Sequence, residues 1–227
     1  MCGRYSITTP VEALARLFWF PERPNLAPRY NMAPTQIAPV VRESEDGRHL
    51  ALLRWGLVPF WAKDAGIGAR LINARAETLS EKPAFRDAFR KRRCILPADG
   101  FYEWQAAEGG KRPHLIRRRD GRPLAFAGLW ESWRGGGGAE PLETFTIVTT
   151  DANETLRPIH ERMPAILEEA DFSLWLAATS DAARLRALLR PAGKDILEAI
   201  EVSTRVNNVR NDDAACAAPL AHTARLL

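Results

Sequence analysis

The groups with the most chemistry to offer stand at the start of the chain, Met1-Cys2-Gly3-Arg4-Tyr5. Excision of an initiator Met tolerates only a small residue behind it, so Cys2 is expected to become the terminal residue. It then carries a thiol with a reference pKa near 8.5 beside an α-amine of about 7.7–8.0, which is partly unprotonated at neutral pH. Such an amine adds to an aldehyde to give an imine, and the thiol of the same residue closes a five-membered thiazolidine that is much harder to reverse. This end of the chain is suited to capturing aldehydes. The plainer alternative is a small terminal residue whose thiol packs as an apolar group.

Three other segments carry groups suited to moving or holding protons. Gly100-Phe101-Tyr102-Glu103-Trp104 reads as a strand whose alternation sets Phe101 and Glu103 on one face and Tyr102 and Trp104 on the other. A carboxylate beside a core Phe is either desolvated, with a raised pKa, or paired with Arg. Either setting suits a general acid or base, although a structural Arg–Glu pair is the commoner cause. His160 sits between Pro158 and Pro164, exposed yet held, and the reference pKa of histidine near 6.5 fits a proton shuttle as well as an ordinary surface residue. In Ile72-Asn73-Ala74-Arg75-Ala76-Glu77 the polar groups are dense enough to need partners if buried.

The chain has 227 residues, 46% hydrophobic and 26% charged, which reads as a soluble globular protein with a sizeable core. No apolar run approaches a membrane span, and no signal peptide opens the chain, so a cytoplasmic protein is expected. Cys2, Cys94 and Cys216 are odd in number and too widely spaced for a metal or redox motif, so neither a structural metal nor a disulfide framework is expected. The net charge is +4 and the pI about 9.2, with Arg far in excess of Lys. An Arg-biased basic domain fits nucleic acid, because the guanidinium pairs bidentately with phosphate; a GC-rich genome gives the same bias. Trp55 and Trp61, in a loop rich in Gly and Pro, read as one stacking platform for bases and one core residue. The run Arg90-Lys91-Arg92-Arg93 is either a solvated face or a phosphate contact.

The elements that must position these groups follow from pattern. Thr9-Pro10-Val11-Glu12 predicts a helix start with Thr9 as N-cap, followed by Leu14, Leu17 and Phe18 on one side. Residues 37–41 and 50–54 predict a hairpin turning at Asp46-Gly47, and 114–118 and 124–130 another around Asp120-Gly121. Strands are expected at 94–97, 100–104 and 145–150, a closing strand at 200–206, and helices at 82–90, 171–176 and 180–189. Gly135–Gly138 reads as a flexible surface loop that lacks the residues of a phosphate-binding loop. The Ala-rich stretch from Asp212 reads as a loosely ordered tail.

Several motifs then occur together in order. They are Met1-Cys2-Gly3-Arg4-Tyr5, Tyr30-Asn31-Met32-Ala33-Pro34, Arg54-Trp55-Gly56-Leu57-Val58-Pro59, Asn73-Ala74-Arg75-Ala76-Glu77, Arg93-Cys94-Ile95-Leu96-Pro97-Ala98-Asp99-Gly100-Phe101-Tyr102-Glu103-Trp104, Ala127-Gly128-Leu129-Trp130-Glu131 and His160-Glu161-Arg162-Met163-Pro164. On these the chain resembles the SRAP family, the abasic-site processing proteins linked to the SOS response, from Cys2 to about Asn208. The departures are small: Tyr5 where an aromatic is usual, and Ala76 where Ser is common.

The resemblance implies an α+β fold, a single domain over 1–208 of curved, mostly antiparallel, barrel-like sheets with flanking helices, and a tail over 209–227. It implies binding of single-stranded DNA at an abasic site and covalent linkage through Cys2. Cys2, Asn73, Glu103 and His160 would form the catalytic group. Arg4, Arg75 and Arg162 would hold flanking phosphates, and Trp55, Trp61 and Trp104 would touch bases or sugars. No cofactor or metal is implied, nothing requires more than a monomer, and the protein would be associated with the nucleoid when on DNA. A lyase side reaction is chemically available at the imine. Two other readings remain: a Cys-dependent peptidase or autoprotease with His160 as base, and a non-catalytic binder of single-stranded DNA that marks lesions.

Overall fold

A computed structural model describes residues 2–135, 140–178 and 181–220. In chain order the strands and helices are β1 (Tyr5–Ile7), α1 (Val11–Phe18), β2 (Arg29–Met32), β3 (Ile37–Ser44), β4 (Gly47–Trp55), β5 (Asn73–Arg75), α2 (Arg86–Lys91), β6 (Arg93–Ala98), β7 (Gly100–Ala107), β8 (Gly110–Arg118), β9 (Leu124–Trp133), β10 (Leu142–Asp151), β11 (Arg162–Pro164), α3 (Phe172–Leu176), α4 (Ala182–Leu188) and β12 (Leu197–Glu201). The fold is α+β, a single domain of curved, mostly antiparallel sheets with short flanking helices.

The sequence LETFTIVTTD makes β10 the strand on which the fold closes. Its β-branched residues favour extended backbone, and every residue from Thr144 to Thr150 is buried. The unbroken burial follows from its pairing: β4 and β5 run parallel to it, and β9 and β11 antiparallel. Following β10, β4, β3, β6, β9 and back to β10 closes a five-stranded barrel. A second sheet, ordered β12-β8-β7-β1-β2, lies against it, and one hydrophobic cluster runs through both.

Several expectations hold and several change. The β3–β4 hairpin forms and runs longer than expected, from Ile37↔Arg54 to Ser44↔Gly47. Helix α1 buries Val11, Leu14, Ala15 and Phe18 as its spacing predicts, but Thr9 is not its cap. The Pro10 carbonyl takes the first helical N–H groups, from Ala13 and Leu14 at 3.0 and 3.1 Å. Thr8 and Thr9 instead spend their hydroxyls and N–H groups on the Asp99 carboxylate, with Thr9 Oγ1 at 2.6 Å from Oδ1.

The expected hairpin around Asp120-Gly121 is a turn that changes sheet. Strand β8 is taken by β7 and β12, and β9 by β6 and β10. Likewise β6 and β7, consecutive as expected, belong to different sheets, and the turn at Asp99 carries the chain across. The closing strand β12 lies earlier than expected, and Thr204–Asn207 is a 3-10 turn. Helix α2 is shorter than expected because the Lys82 carbonyl first closes a turn with Phe85 and Arg86. Ser180, in the expected last helix, and Gly136–Gly138 lie outside the described residues.

Nor is the chain loose after 208. As far as 220 it is docked: Asp212 pairs with Arg29 and accepts the Tyr30 and Asn31 N–H groups at 2.6 and 2.8 Å, and the Leu220 N–H reaches the Glu201 carbonyl at 3.1 Å. An anchored carboxylate overrides the disorder that the Ala-rich composition suggests.

Candidate active site

The start of the chain enters the molecule just before β1. Tyr102 N–H donates to the Arg4 carbonyl at 2.9 Å, and Asp99 N–H to that of Ser6 at 2.7 Å, so β1 lies along β7. Cys2 is completely buried. The Asn73 amide N–H donates to the Cys2 carbonyl at 2.9 Å. That bond fixes the amide orientation and leaves Asn73 Oδ1 a buried acceptor with no partner among the described residues. Asn73 is placed there by the parallel pairing of β5 with β10, opposite Ile147.

Glu103, on β7 opposite His114, is 3% exposed. Burial raises its carboxyl pKa, and the positive charges of the chain terminus and His160 work against that rise. Burial likewise pushes the Cys2 thiol far up, and the nearby Glu103 carboxylate adds to the effect, so the resting sulfur is a thiol. His160 is held by its backbone and its ring. Its N–H donates to the Leu156 carbonyl at 2.9 Å, and the Arg162 N–H donates to Nδ1 at 2.9 Å. Nδ1 also lies 3.2 Å from the Arg162 carbonyl, so both backbone groups of Arg162 hold the ring. Gln105 Nε2, two residues along from Glu103, ties β7 to this loop through the Pro158 carbonyl at 3.2 Å. The structure thus brings buried Cys2 and Glu103 together with half-buried Asn73 and His160.

The remaining expected residues divide. Arg4 is a clasp: Nη1 donates to Asn31 Oδ1 and to the Val206 carbonyl, both at 2.8 Å, and the guanidinium lies 5.8 Å from the centre of the Trp104 ring. Trp104 is half-buried and donates to Asn207 Oδ1 at 2.7 Å. Arg75 is exposed at the end of β5.

Arg162 differs from the phosphate ligand expected of it. Both terminal nitrogens are engaged, Nη1 with Glu77 and Asp151 at 2.8 Å and Nη2 with Glu77 and the Thr149 carbonyl at 3.0 and 2.6 Å. A phosphate would have to displace two carboxylates. Trp55 is not a base platform either: it is fully buried, 5.3 Å from the Tyr5 ring, with its indole N–H on the Ile72 carbonyl. Trp61 is 48% exposed, so the division into one core and one surface Trp holds.

Residues that sequence reasoning passed over hold this arrangement. Asn31, fully buried, shares its amide hydrogens among the carbonyls of Val206, Asn208 and Asn211 while accepting from Arg4. Its membership of the Tyr30–Pro34 motif was the available signal. Among the described residues no group of three His, Cys, Asp or Glu side chains lies close enough together to hold a metal ion, and no helix is long and apolar enough to cross a membrane.

A closed barrel flanked by a second sheet, with buried Cys2 and Glu103 beside half-buried Asn73 and His160, defines a class, and comparison with known proteins names it. The chain belongs to the family described as SOS response associated peptidase (SRAP), which matches residues 1–209. Among curated relatives, "Abasic site processing protein YoqW" of Bacillus subtilis is 43% identical over 219 residues, covering 93% of this chain and 96% of the relative. "Abasic site processing protein HMCES" of Gallus gallus is 33% identical, covering 97% of this chain and 78% of the relative. Among solved structures, a Bacteroides thetaiotaomicron protein superposes with a TM-score of 0.88 at 27% identity, covering 96% of this chain and all of the other.

Proposed function

We propose that this protein processes abasic sites in single-stranded DNA, forming a covalent thiazolidine through Cys2 once Met1 is removed and so shielding the lesion. The reading is carried by one observation: the Asn73 bond to the Cys2 carbonyl holds the residue whose amine and thiol must both reach one carbon, beside the buried Glu103. The names of the relatives agree with it.

The ring-opened sugar presents an aldehyde at C1′. The Cys2 amine adds to it, giving a carbinolamine. Glu103, whose carboxyl pKa burial raises, gives its proton to the hydroxyl, which departs as water and leaves the imine. The thiol sulfur adds to the imine carbon and its proton passes to nitrogen, closing the ring, with one water lost overall. A resting thiol suits this order, amine first and sulfur second, and does not suit a peptidase that relies on a preformed thiolate. Asn73 Oδ1 is an acceptor ready to orient the amine. His160 exchanges a proton with the sugar O4′ during ring opening. Loss of a C2′ proton from the imine opens the lyase side path. Arg4, Arg75, Trp61 and Trp104 line the strand's approach. The protein acts as a monomer in the cytoplasm, on the nucleoid.

Incubation with an abasic single-stranded oligonucleotide, followed by a denaturing gel, tests this. The wild type is expected to give a shifted band; Cys2→Ala and a variant with residues inserted ahead of Cys2 are expected to give none. A band that survives either change removes the aminothiol mechanism, and intact mass showing Met1 on active protein does the same.

A further inference from the structure

A surface cavity of about 720 Å³ is not lined by Cys2, Asn73, Glu103 or His160. It lies where the C-terminal half of α2 meets β9, and its walls include Arg90, Lys91, Arg92 and Arg134, the carboxylates Asp87 and Glu131, and the rings of Phe60 and Trp130. Its volume falls within the roughly 300–1,000 Å³ of small-ligand sites. Four cations face two carboxylates, and Glu131 is already taken by Arg92 Nη2 at 2.7 Å. Arg92 Nε is buried with no hydrogen-bond partner among the described residues. Arg90 and Lys91 are exposed, and Phe60 is 54% exposed. Trp130 is steadied by Arg42, whose guanidinium lies 4.5 Å from the ring centre and is itself held by Glu143.

Surplus positive charge beside aromatic surface is what a phosphate–sugar–base unit recognises: cations meet the phosphate, and a ring stacks on a base whatever its identity. Trp61, adjacent to Phe60, is also exposed and donates to the Pro83 carbonyl just before α2, so aromatic surface continues from the pocket along this loop. Gly56 and Gly68 pin the loop to the barrel side. Gly56 has φ +119°, and a Cβ there would stand 2.6 Å from the Gly68 carbonyl oxygen.

We infer that this pocket is a second anchoring point for a single DNA strand, taking an undamaged nucleotide away from the reacting sugar. The inference rests on the proposed function for the identity of the strand but not on the covalent chemistry, and its test separates the two. Binding of an end-labelled, undamaged single-stranded 20-mer is followed by fluorescence anisotropy across a salt series for wild type, Arg90→Glu/Lys91→Glu and Phe60→Ala, with deoxythymidine 5′-monophosphate as competitor. These three side chains are at the surface, so the variants are expected to fold.

Loss of two phosphate contacts lowers the slope of log K against log salt by about 1.4, at about 0.7 per contact for a single strand. Phe60→Ala weakens binding about fivefold or more, as expected when a base loses its stacking partner. All variants should still form the covalent adduct on a trinucleotide with a central abasic site, because none of Cys2, Asn73, Glu103 and His160 lines the pocket. Slopes and affinities equal to wild type overturn the inference, as does displacement of the 20-mer by micromolar mononucleotide, which would make the pocket a free-nucleotide site. Failure of the trinucleotide to crosslink with wild type sinks the proposed chemistry and leaves the anisotropy result to decide the pocket.

Discussion

Two polar neighbourhoods border the loop that carries His160, one at its base around Arg162 and one beside the His160 ring around Cys2 and Glu103, and they are built on opposite terms. Around Arg162, charges are matched: one guanidinium meets Glu77, Asp151 and Thr149, and Glu77 is held below its ordinary pKa, its cost of burial outweighed by the hydrogen bond and charge of Arg162 and by Arg75. Arg162 Nε goes without a partner among the described residues, but around Cys2 more of the buried groups are unsatisfied. The Tyr5 hydroxyl and Asn73 Oδ1 have no partner among the described residues, and burial raises the pKa values of Cys2, Tyr5 and Glu103. Unspent hydrogen-bonding capacity costs stability, and it persists where a substrate is to use it. The Arg162 side holds the loop; the Cys2 side keeps hydrogen-bonding capacity unspent.

The contrast is sharpened most by Glu103→Gln, which keeps the shape and removes the acid. Adduct formation is expected to slow by about 10²–10⁴-fold. Its pH profile should also change form. In the wild type the rate climbs as the Cys2 amine deprotonates and falls as Glu103 loses its proton, giving a bell; in the variant the alkaline fall disappears. Stability tests the same group independently. A carboxyl whose folded pKa is raised favours the fold while protonated and loses that contribution as pH rises from its unfolded pKa through its folded one. Glu103→Gln should therefore gain stability relative to wild type across that window, as read by urea midpoints at successive pH values. A constant difference would remove Glu103 from the desolvated set.

Next in size, Arg162→Ala is expected to lower unfolding free energy by about 1–3 kcal/mol in urea titrations, through the lost charged hydrogen bonds and the stranded Thr149 carbonyl. Glu77 and Asp151 are half or more exposed and recover water, which keeps the figure below that of a fully buried pair. Unchanged stability with a large loss of DNA affinity would reverse the assignment and restore the phosphate role. Smallest is Tyr5→Phe, which deletes a buried hydroxyl that has no partner. It should be neutral or stabilising by up to about 1 kcal/mol in thermal and urea unfolding, whereas the loss of any bond in the Arg162 group should destabilise.

How much of this could be read in the sequence depends on how local each cause was. The β3–β4 hairpin, β10 and α1 carried their own periodicity. The turns at Asp99 and Gly121 announced a change of direction, but turn residues do not say which sheet receives the chain. The motif around Asn73 marked a site, yet its contact with Cys2 needs the parallel pairing of β5 with β10, which has no local signature. Arg162 looked like a phosphate ligand because an arginine in a sequence does not show its carboxylates. Asp212 was hidden in an Ala-rich stretch, and its partners Arg29 to Asn31 lie more than 180 positions earlier.

That kind of separation has a consequence for the order of folding. Arg4 is clasped by the carbonyl of Val206, 202 positions further on, so a polypeptide still emerging from the ribosome carries its first residues before the segment that ties them down has been made. Only when residues 206 to 211 fold back do Arg4 and Asn31 find the carbonyls that hold them.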